Sequence, residues 1–223
     1  MNDLLTNSVR ILIFAKAPEA GLAKTRLIPA LGAQGAAELA RQMLYSTLDA
    51  AIAANLGSVE LCVTPAIDDR GWQDAPLPAG IEISAQEEGD LGARMARAAE
   101  RGLANAPSVL LIGTDCVEMS AALLREAAKA LQERDAVIHC TADGGYALLG
   151  LKRFDPSLFN DIAWSKNTVA GTTIERITRL GWSYQVGAEL HDVDEPQDLT
   201  AAVCRKWSAK LTAEFAAYRE TYF

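Results

Sequence analysis

Lys16, Lys24 and Arg26 lie just beyond the apolar run 9–15, on a segment that also holds Pro18, Gly21 and a single acid, Glu19. With Arg10 counted, residues 9–27 are net positive inside a chain of formal net charge -8. So local a reversal of sign marks chemistry at one place rather than general solubility. Cations on a Gly/Ala/Pro loop at the end of a strand can set side chains and backbone N–H groups against an anion, and the anion expected is a nucleotide phosphate. The spacing Gly21-Leu22-Ala23-Lys24-Thr25 is not a phosphate loop of the G-x-x-x-x-G-K-[ST] kind, because Pro18 and Ala23 stand where glycines are required. No G-x-G-x-x-G occurs, which leaves a dinucleotide-binding site without support. The alternative for this segment is a solvated surface loop.

Four carboxylates could work beside such an anion. Asp115 ends the run Val109-Leu110-Leu111-Ile112-Gly113-Thr114. An acid at the carboxyl end of a buried strand can bind a hard cation, Mg2+ or Mn2+, or else cap the turn that follows. Asp192 and Asp194, in His191-Asp192-Val193-Asp194-Glu195-Pro196, share a face if extended and could complete the same metal site. Asp194 reads equally well as the N-cap of a helix opened by Pro196. His191 can serve as ligand, base or hydrogen-bond partner of a carboxylate. Asp143 precedes Gly144, Gly145 and Tyr146, which spell either a plain hairpin turn or a place where glycines admit a sugar or acceptor. In the second case Asp143 binds a hydroxyl or takes its proton. Glu87-Glu88-Gly89-Asp90-Leu91-Gly92-Ala93-Arg94 puts acids at a helix start, with Arg94 able to face a ligand.

The elements that must position these residues alternate along the chain. Short apolar runs at 9–15, 59–64, 81–85, 108–112, 136–140, 146–151 and 183–186 predict strands. Between them, helical periodicity covers 35–55 (closed by Gly57), 91–104, the stretch after the cap Ser120, and 167–180 (ended by Gly181), with a last helix from about 196. This alternation predicts an α/β protein with a mostly parallel sheet. No repeat or linker divides residues 1–223, so one domain is expected, with 67–80 as a surface excursion. The acidic balance, 21 Lys+Arg against 29 Asp+Glu, argues against a nucleic-acid partner or an anionic membrane surface. No run approaches a membrane span or a signal peptide, and the cytoplasm is the expected location. Cys62, Cys116, Cys140 and Cys204 lack metal-site spacing and read as free thiols. Trp207, Phe215, Tyr218, Tyr222 and Phe223 must pack on their own domain or on the second subunit of a homodimer.

Together, Phe14-Ala15-Lys16-Ala17-Pro18 with Gly21 and Lys24-Thr25-Arg26-Leu27, then Gly89-Asp90-Leu91-Gly92, Ile112-Gly113-Thr114-Asp115-Cys116, Asp143-Gly144-Gly145-Tyr146 and Asp192-Val193-Asp194-Glu195-Pro196 resemble one family in order and spacing. It is the bacterial nucleotide-diphospho-sugar transferase family, some of whose members are labelled arsenosugar-biosynthesis glycosyltransferases. The resemblance implies a single-domain GT-A type fold, a Rossmann-like α/β/α sandwich with a mostly parallel mixed sheet. It implies a nucleotide held by the loop Lys16 to Arg26 and a divalent metal, Mg2+ or Mn2+, on Asp115. The residues expected at these sites are Ala15, Lys16, Gly21, Lys24, Arg26 and Thr114 for the nucleotide and diphosphate, and Asp115 with Asp192 and Asp194 for the metal. Asp143 and Asp115 are then the catalytic residues, and Gly144, Gly145 and Tyr146 face the sugar or acceptor. The activity expected is transfer of a sugar from a nucleotide-diphosphate donor to a small acceptor. The alternatives are an NTP-using nucleotidyltransferase of the same fold and a non-catalytic nucleotide-binding module. Two stretches depart from the family's pattern, Val117-Glu118 after Cys116 and His139-Cys140-Thr141-Ala142 before Asp143.

Overall fold

The computed structural model describes residues 9–116, 118–164 and 166–199. Seven strands form one sheet: β1 (Val9–Lys16), β2 (Val59–Thr64), β3 (Glu82–Ala85), β4 (Ser108–Ile112), β5 (Ala136–Cys140), β6 (Tyr146–Leu151) and β7 (Tyr184–Val186). Their order across the sheet is β3-β2-β1-β4-β6-β5-β7, and β6 alone runs antiparallel to its neighbours. Among the described residues four α-helices cover the faces: α1 (Ile28–Ala54), α2 (Leu91–Asn105), α3 (Ala121–Glu133) and α4 (Val169–Arg179). The result is a single-domain Rossmann-like α/β/α sandwich. Among the described residues no helix is long and apolar enough to cross a membrane.

The uninterrupted apolar character of β1 and β4 follows from burial on both faces. Successive strand side chains alternate sides. Ile11, Ile13 and Ala15 therefore pack with Leu44 and Leu48 of α1 and Leu131 of α3, while Leu12 packs on the other face with Met95 and Ala99 of α2. From β1 the chain winds outward through β2 to β3, then returns to β4 on the other side of β1. The crevice between the carboxyl ends of β1 and β4 is thus the point at which the winding direction reverses, where open α/β sheets bind ligands.

Every predicted strand is present within one residue at each end. The first helix differs more. It starts at Ile28 with Pro29 in its first turn, breaks at Gly32 (φ 68°, ψ 167°), and only then runs on through the predicted span. It is closed by Asn55 in the left-handed conformation (φ 52°) rather than by Gly57, since asparagine also tolerates that geometry. The excursion at 67–80 is pinned by Trp72, which is buried and donates its indole N–H to the Pro65 carbonyl. After Pro196 only the short 3-10 turn Pro196–Asp198 is described, and its N-cap is Glu195, not Asp194. The helix expected beyond it, the aromatic tail and Cys204 lie outside the described residues. Cys62, Cys116 and Cys140 are free thiols, and burial pushes Cys62 up to about 11 and Cys116 to about 12.

Gly92 is set by packing. A Cβ there would stand 2.3 Å from the Phe159 carbonyl oxygen and 2.9 Å from the Trp164 ring, so α2 seats against that loop only without a side chain. Gly92→Ala is expected to destabilise the fold by about 1–3 kcal/mol through overpacking, read as a lower urea midpoint with an unchanged slope.

Candidate active site

The loop after β1 is built to turn back on itself. The Glu19 carbonyl accepts the N–H groups of Leu22 (3.0 Å) and Ala23 (2.9 Å), Gly21 takes a positive φ of 83°, and Lys16 Nζ donates to the Leu22 carbonyl at 2.8 Å. Lys24 then adopts the left-handed conformation (φ 45°) and opens a 3-10 turn over Thr25–Leu27. That backbone directs its side chain inward, where it is only 9% exposed. Its ammonium donates to Asp115 Oδ1 at 2.6 Å and to Asp194 Oδ1 at 2.7 Å. A charge so nearly buried requires anionic partners, and the two carboxylates supply them. Burial weighs most on Lys24, pulling its pKa down, yet Asp115 and Asp194 outweigh it and hold the ammonium above its ordinary value.

The acids come from two directions. Asp115 follows β4, and its carbonyl accepts the N–H of Val193 at 2.9 Å, while Cys116 bridges Asp192 in antiparallel fashion. The segment carrying Asp192 and Asp194 is thereby stitched to the end of β4. Asp198 fastens it from below by accepting the N–H groups of Asp194 (3.0 Å) and Glu195 (2.7 Å). Glu118, one of the departures from the family's pattern, fastens it from the side: it accepts the His191 N–H at 3.2 Å and lies 2.8 Å from His191 Nδ1. His191 is therefore a partner of Glu118, which raises its pKa by hydrogen bond and charge. Asp192 is pushed up to about 7, first by burial and then by the charges of Asp115, Asp194 and Asp143, against the opposing pull of Lys24.

Asp143 sits in the β5–β6 hairpin turn. Its Oδ1 accepts from Thr141 Oγ1 at 2.5 Å and from the Gly145 N–H at 3.0 Å, so the turn holds the side chain in place. Gly144, expected to face a sugar or acceptor, is packed against protein backbone here. With a φ of 88° it lies against the Asn167 backbone, whose carbonyl oxygen would meet a Cβ at 2.2 Å, and it lines neither of the cavities described next.

Two cavities meet here. One, of about 530 Å3, is lined on its cationic side by Lys16, Lys24 and Arg26 and elsewhere by Ala15, Thr114 and Gln86. The other, of about 370 Å3, has an apolar wall of Met95, Tyr146, Trp164 and Val169, with Gly145 and Lys166 also on its lining. Phe14, Leu91, Asp115, Asp143 and Asp194 border both, so the carboxylates stand at the junction. Asp192 lines the second cavity. Gly21 lines neither and serves the turn; Arg26 is 67% exposed at the rim, 3.8 Å from Glu195. Arg10, counted above with the cations, is at the opposite end of β1 and is bound to Glu60 and Glu82.

Three further residues escaped the sequence reading. Gln86 is buried beyond β3 and ties the strand ends together, donating to the carbonyls of Cys62 (2.8 Å) and Ala15 (3.2 Å). Its position at a strand's carboxyl end is the same signal that marked Lys16 and Asp115. Trp164 and Lys166 come from a stretch without regular structure, and only the fold brings them to the cavity.

The donor set is of the right kind for a hard divalent cation, since Asp115, Asp194 and Asp192 offer only oxygen. The arrangement differs from the one expected. Among the described residues no group of three or more His, Cys, Asp or Glu is disposed to hold one metal ion, and Lys24 pairs with both Asp115 and Asp194.

Comparison with known proteins places these features in a wider setting. The family described as "Uncharacterized protein conserved in bacteria (DUF2064)" matches residues 47–166, more than half of the chain. No curated protein matches. The crystal structure of a "putative nucleotide-diphospho-sugar transferase" from Desulfovibrio desulfuricans G20 superposes with a TM-score of 0.83 at 29% identity, covering 97% of this chain and 96% of that one. Rv0371c from Mycobacterium tuberculosis H37Rv, in complex with manganese, superposes with a TM-score of 0.54 at 18% identity over 89% of this chain and 98% of its own. A cytidylyltransferase from Leptospira borgpetersenii gives 0.56 at 16% identity, over 96% and 93%. The last two likenesses concern the fold alone.

Proposed function

We infer that this chain, which belongs to the DUF2064 family of bacterial proteins, is a transferase that binds a nucleotide-diphosphate sugar with Mg2+ or Mn2+ and passes the sugar to a small acceptor. The observation that carries this reading is the junction of two cavities, one cationic and one largely apolar, at Asp115, Asp143 and Asp194. A donor with its diphosphate in the larger cavity and its sugar at the junction presents the reacting carbon to an acceptor in the smaller one. The likeness to the Desulfovibrio protein over nearly the whole of both chains supports the donor class.

Lys16, Lys24 and Arg26 stabilise the departing diphosphate, whose negative charge grows as the bond to the sugar breaks. Ala15 and Thr114, at the ends of β1 and β4, flank the nucleotide, and Gly21 shapes the loop. Asp115, with Asp194 and Asp192, would hold the divalent ion, which when bound supplies Lewis-acid neutralisation of the same phosphate oxygens. Asp143 faces the junction with one oxygen held by the turn and the other available to take the acceptor hydroxyl's proton. Gly145 and Tyr146 border the acceptor cavity. Asp143→Asn is expected to lower kcat about 100-fold with little change in donor affinity, because it acts on the acceptor side. Steady-state kinetics together with donor titration check this.

A second reading, on a fold that a cytidylyltransferase shares, is transfer of a nucleotidyl group from an NTP to a phosphorylated acceptor. The products decide between them. Nucleoside diphosphate supports sugar transfer, whereas pyrophosphate supports nucleotidyl transfer. A thermal-shift panel of nucleotides and nucleotide sugars, with and without Mn2+, selects the donor to assay. A metal-assisted shift without turnover of any donor and acceptor pair would make the chain a binding module, and a panel with no shift would remove both enzyme readings.

A further inference from the structure

Lys24 lines the cationic cavity, yet in this structure its ammonium donates to Asp115 Oδ1 at 2.6 Å and Asp194 Oδ1 at 2.7 Å. These are two of the carboxylates that the preceding reading assigns to the divalent ion. An ion held by both carboxylates needs contact distances near 2 Å in the space that the ammonium now fills between them, so the two cations compete. We propose that Lys24 acts as an internal counter-ion: it holds the Asp115–Asp194 pair until a divalent cation exchanges for it, and the released ammonium turns to the diphosphate.

This inference rests on the metal and diphosphate assignment above. Three features make the exchange feasible. The side chain starts from a left-handed backbone at the edge of a 3-10 turn, so its four-carbon stem, rather than a helix or strand, sets where the charge lies. The cavity that it lines is large enough for phosphate oxygens to offer a second anionic partner. Asp115, Asp143 and Asp194 stand together at the junction, so a divalent ion satisfies them better than one ammonium does. Two consequences follow from linkage. The ion alone binds weakly, because it must displace a paired lysine, and a diphosphate that draws the lysine away strengthens the ion's binding by the same factor by which the ion strengthens the diphosphate's.

The test uses the full chain and Mn2+ as the probe. Acetylation of lysines, read residue by residue by mass spectrometry, is expected to be slow at Lys24. Saturation with Mn2+ alone should raise its rate several-fold while leaving Lys152, which follows the far end of β6, unchanged. Mn2+ titration followed by electron paramagnetic resonance should show Lys24→Met binding the ion about ten-fold more tightly than wild type, as removal of a competing cation requires. Lys24 acetylation that stays constant or falls as Mn2+ binds overturns the proposal. So does equal or weaker Mn2+ binding by the variant, or binding by neither protein. The wild-type arm stands even if Lys24→Met does not fold. Release of Lys24 by Mn2+ in a protein that turns over no nucleotide would keep this inference and remove the sugar-transfer reading; turnover with Lys24 unaffected by the ion would do the reverse.

Discussion

Asp115→Asn is expected to lower turnover by about 1,000-fold or more and to abolish the Mn2+-dependent part of any nucleotide-induced thermal shift. Asp115 borders both cavities, lies at the carboxyl end of a central strand, and holds one side of the Lys24 ammonium. Asparagine keeps the shape and one oxygen but removes the charge, so it loses most as a ligand of a hard cation and as a counter-charge to Lys24. The fold should survive. The side chain is 45% exposed, and Asp194 keeps Lys24 paired at 2.7 Å. Differential scanning fluorimetry and product formation by the same preparation provide the measurement. A variant as stable as wild type, with wild-type turnover and metal response, would take Asp115 out of the mechanism and the proposed reaction with it.

The second large effect belongs to the opposite end of the sheet. Glu60→Gln is expected to cost about 3 kcal/mol, the scale on which a broken buried ion pair destabilises a protein. Glu60 is 2% exposed on β2. It accepts from Arg10 at 2.7 and 2.9 Å and from Ser84 Oγ at 2.6 Å, and it pairs with Arg101. Burial acts to raise its pKa and is the largest single influence, but the hydrogen bonds from Ser84, Arg101 and Arg10 together prevail and hold the carboxyl below its ordinary value. The sign of the pH dependence follows. The stability that this carboxylate contributes is present above the usual glutamate range, near pH 4.5, and is lost as pH falls through the depressed folded value. Urea unfolding at pH 7 and at pH 3 should therefore show a gap between wild type and Glu60→Gln that narrows in acid. Glu82→Gln is the contrast. Its carboxylate is 56% exposed, and its loss should cost less than about 1 kcal/mol.

Arg10 shows where reading by composition loses resolution. In a count of charges it belongs with Lys16, Lys24 and Arg26, because it is close to them in sequence. A strand rises about 3.3 Å per residue, so the six residues from Arg10 to Lys16 put roughly 20 Å between a structural ion pair and the site. Gly92 and Gly144 carry the complementary lesson. Both stand in motifs that resemble the family's, and both are glycines because another part of the same chain, Phe159 and Trp164 or Asn167, comes within a Cβ's reach.

The strands were legible because a sheet covered on both faces demands uninterrupted apolar runs, and such runs appear at 9–15, 108–112 and 136–140 whatever surrounds them. The candidate site's address was legible for a related reason: Lys16 ends β1, Asp115 and Asp143 stand just beyond β4 and β5, and ligand crevices form at strand ends. Local sequence therefore determined the fold class, the acids and the cations. Which cation meets which acid was decided only by tertiary structure. Lys24 and Asp194 are 170 positions apart, and no local pattern encodes a contact made by folding the sheet between them. The order of the strands decides it, bringing the loop after β1, the end of β4 and the segment after β7 to one crevice, where a buried ammonium must take the nearest carboxylates as partners.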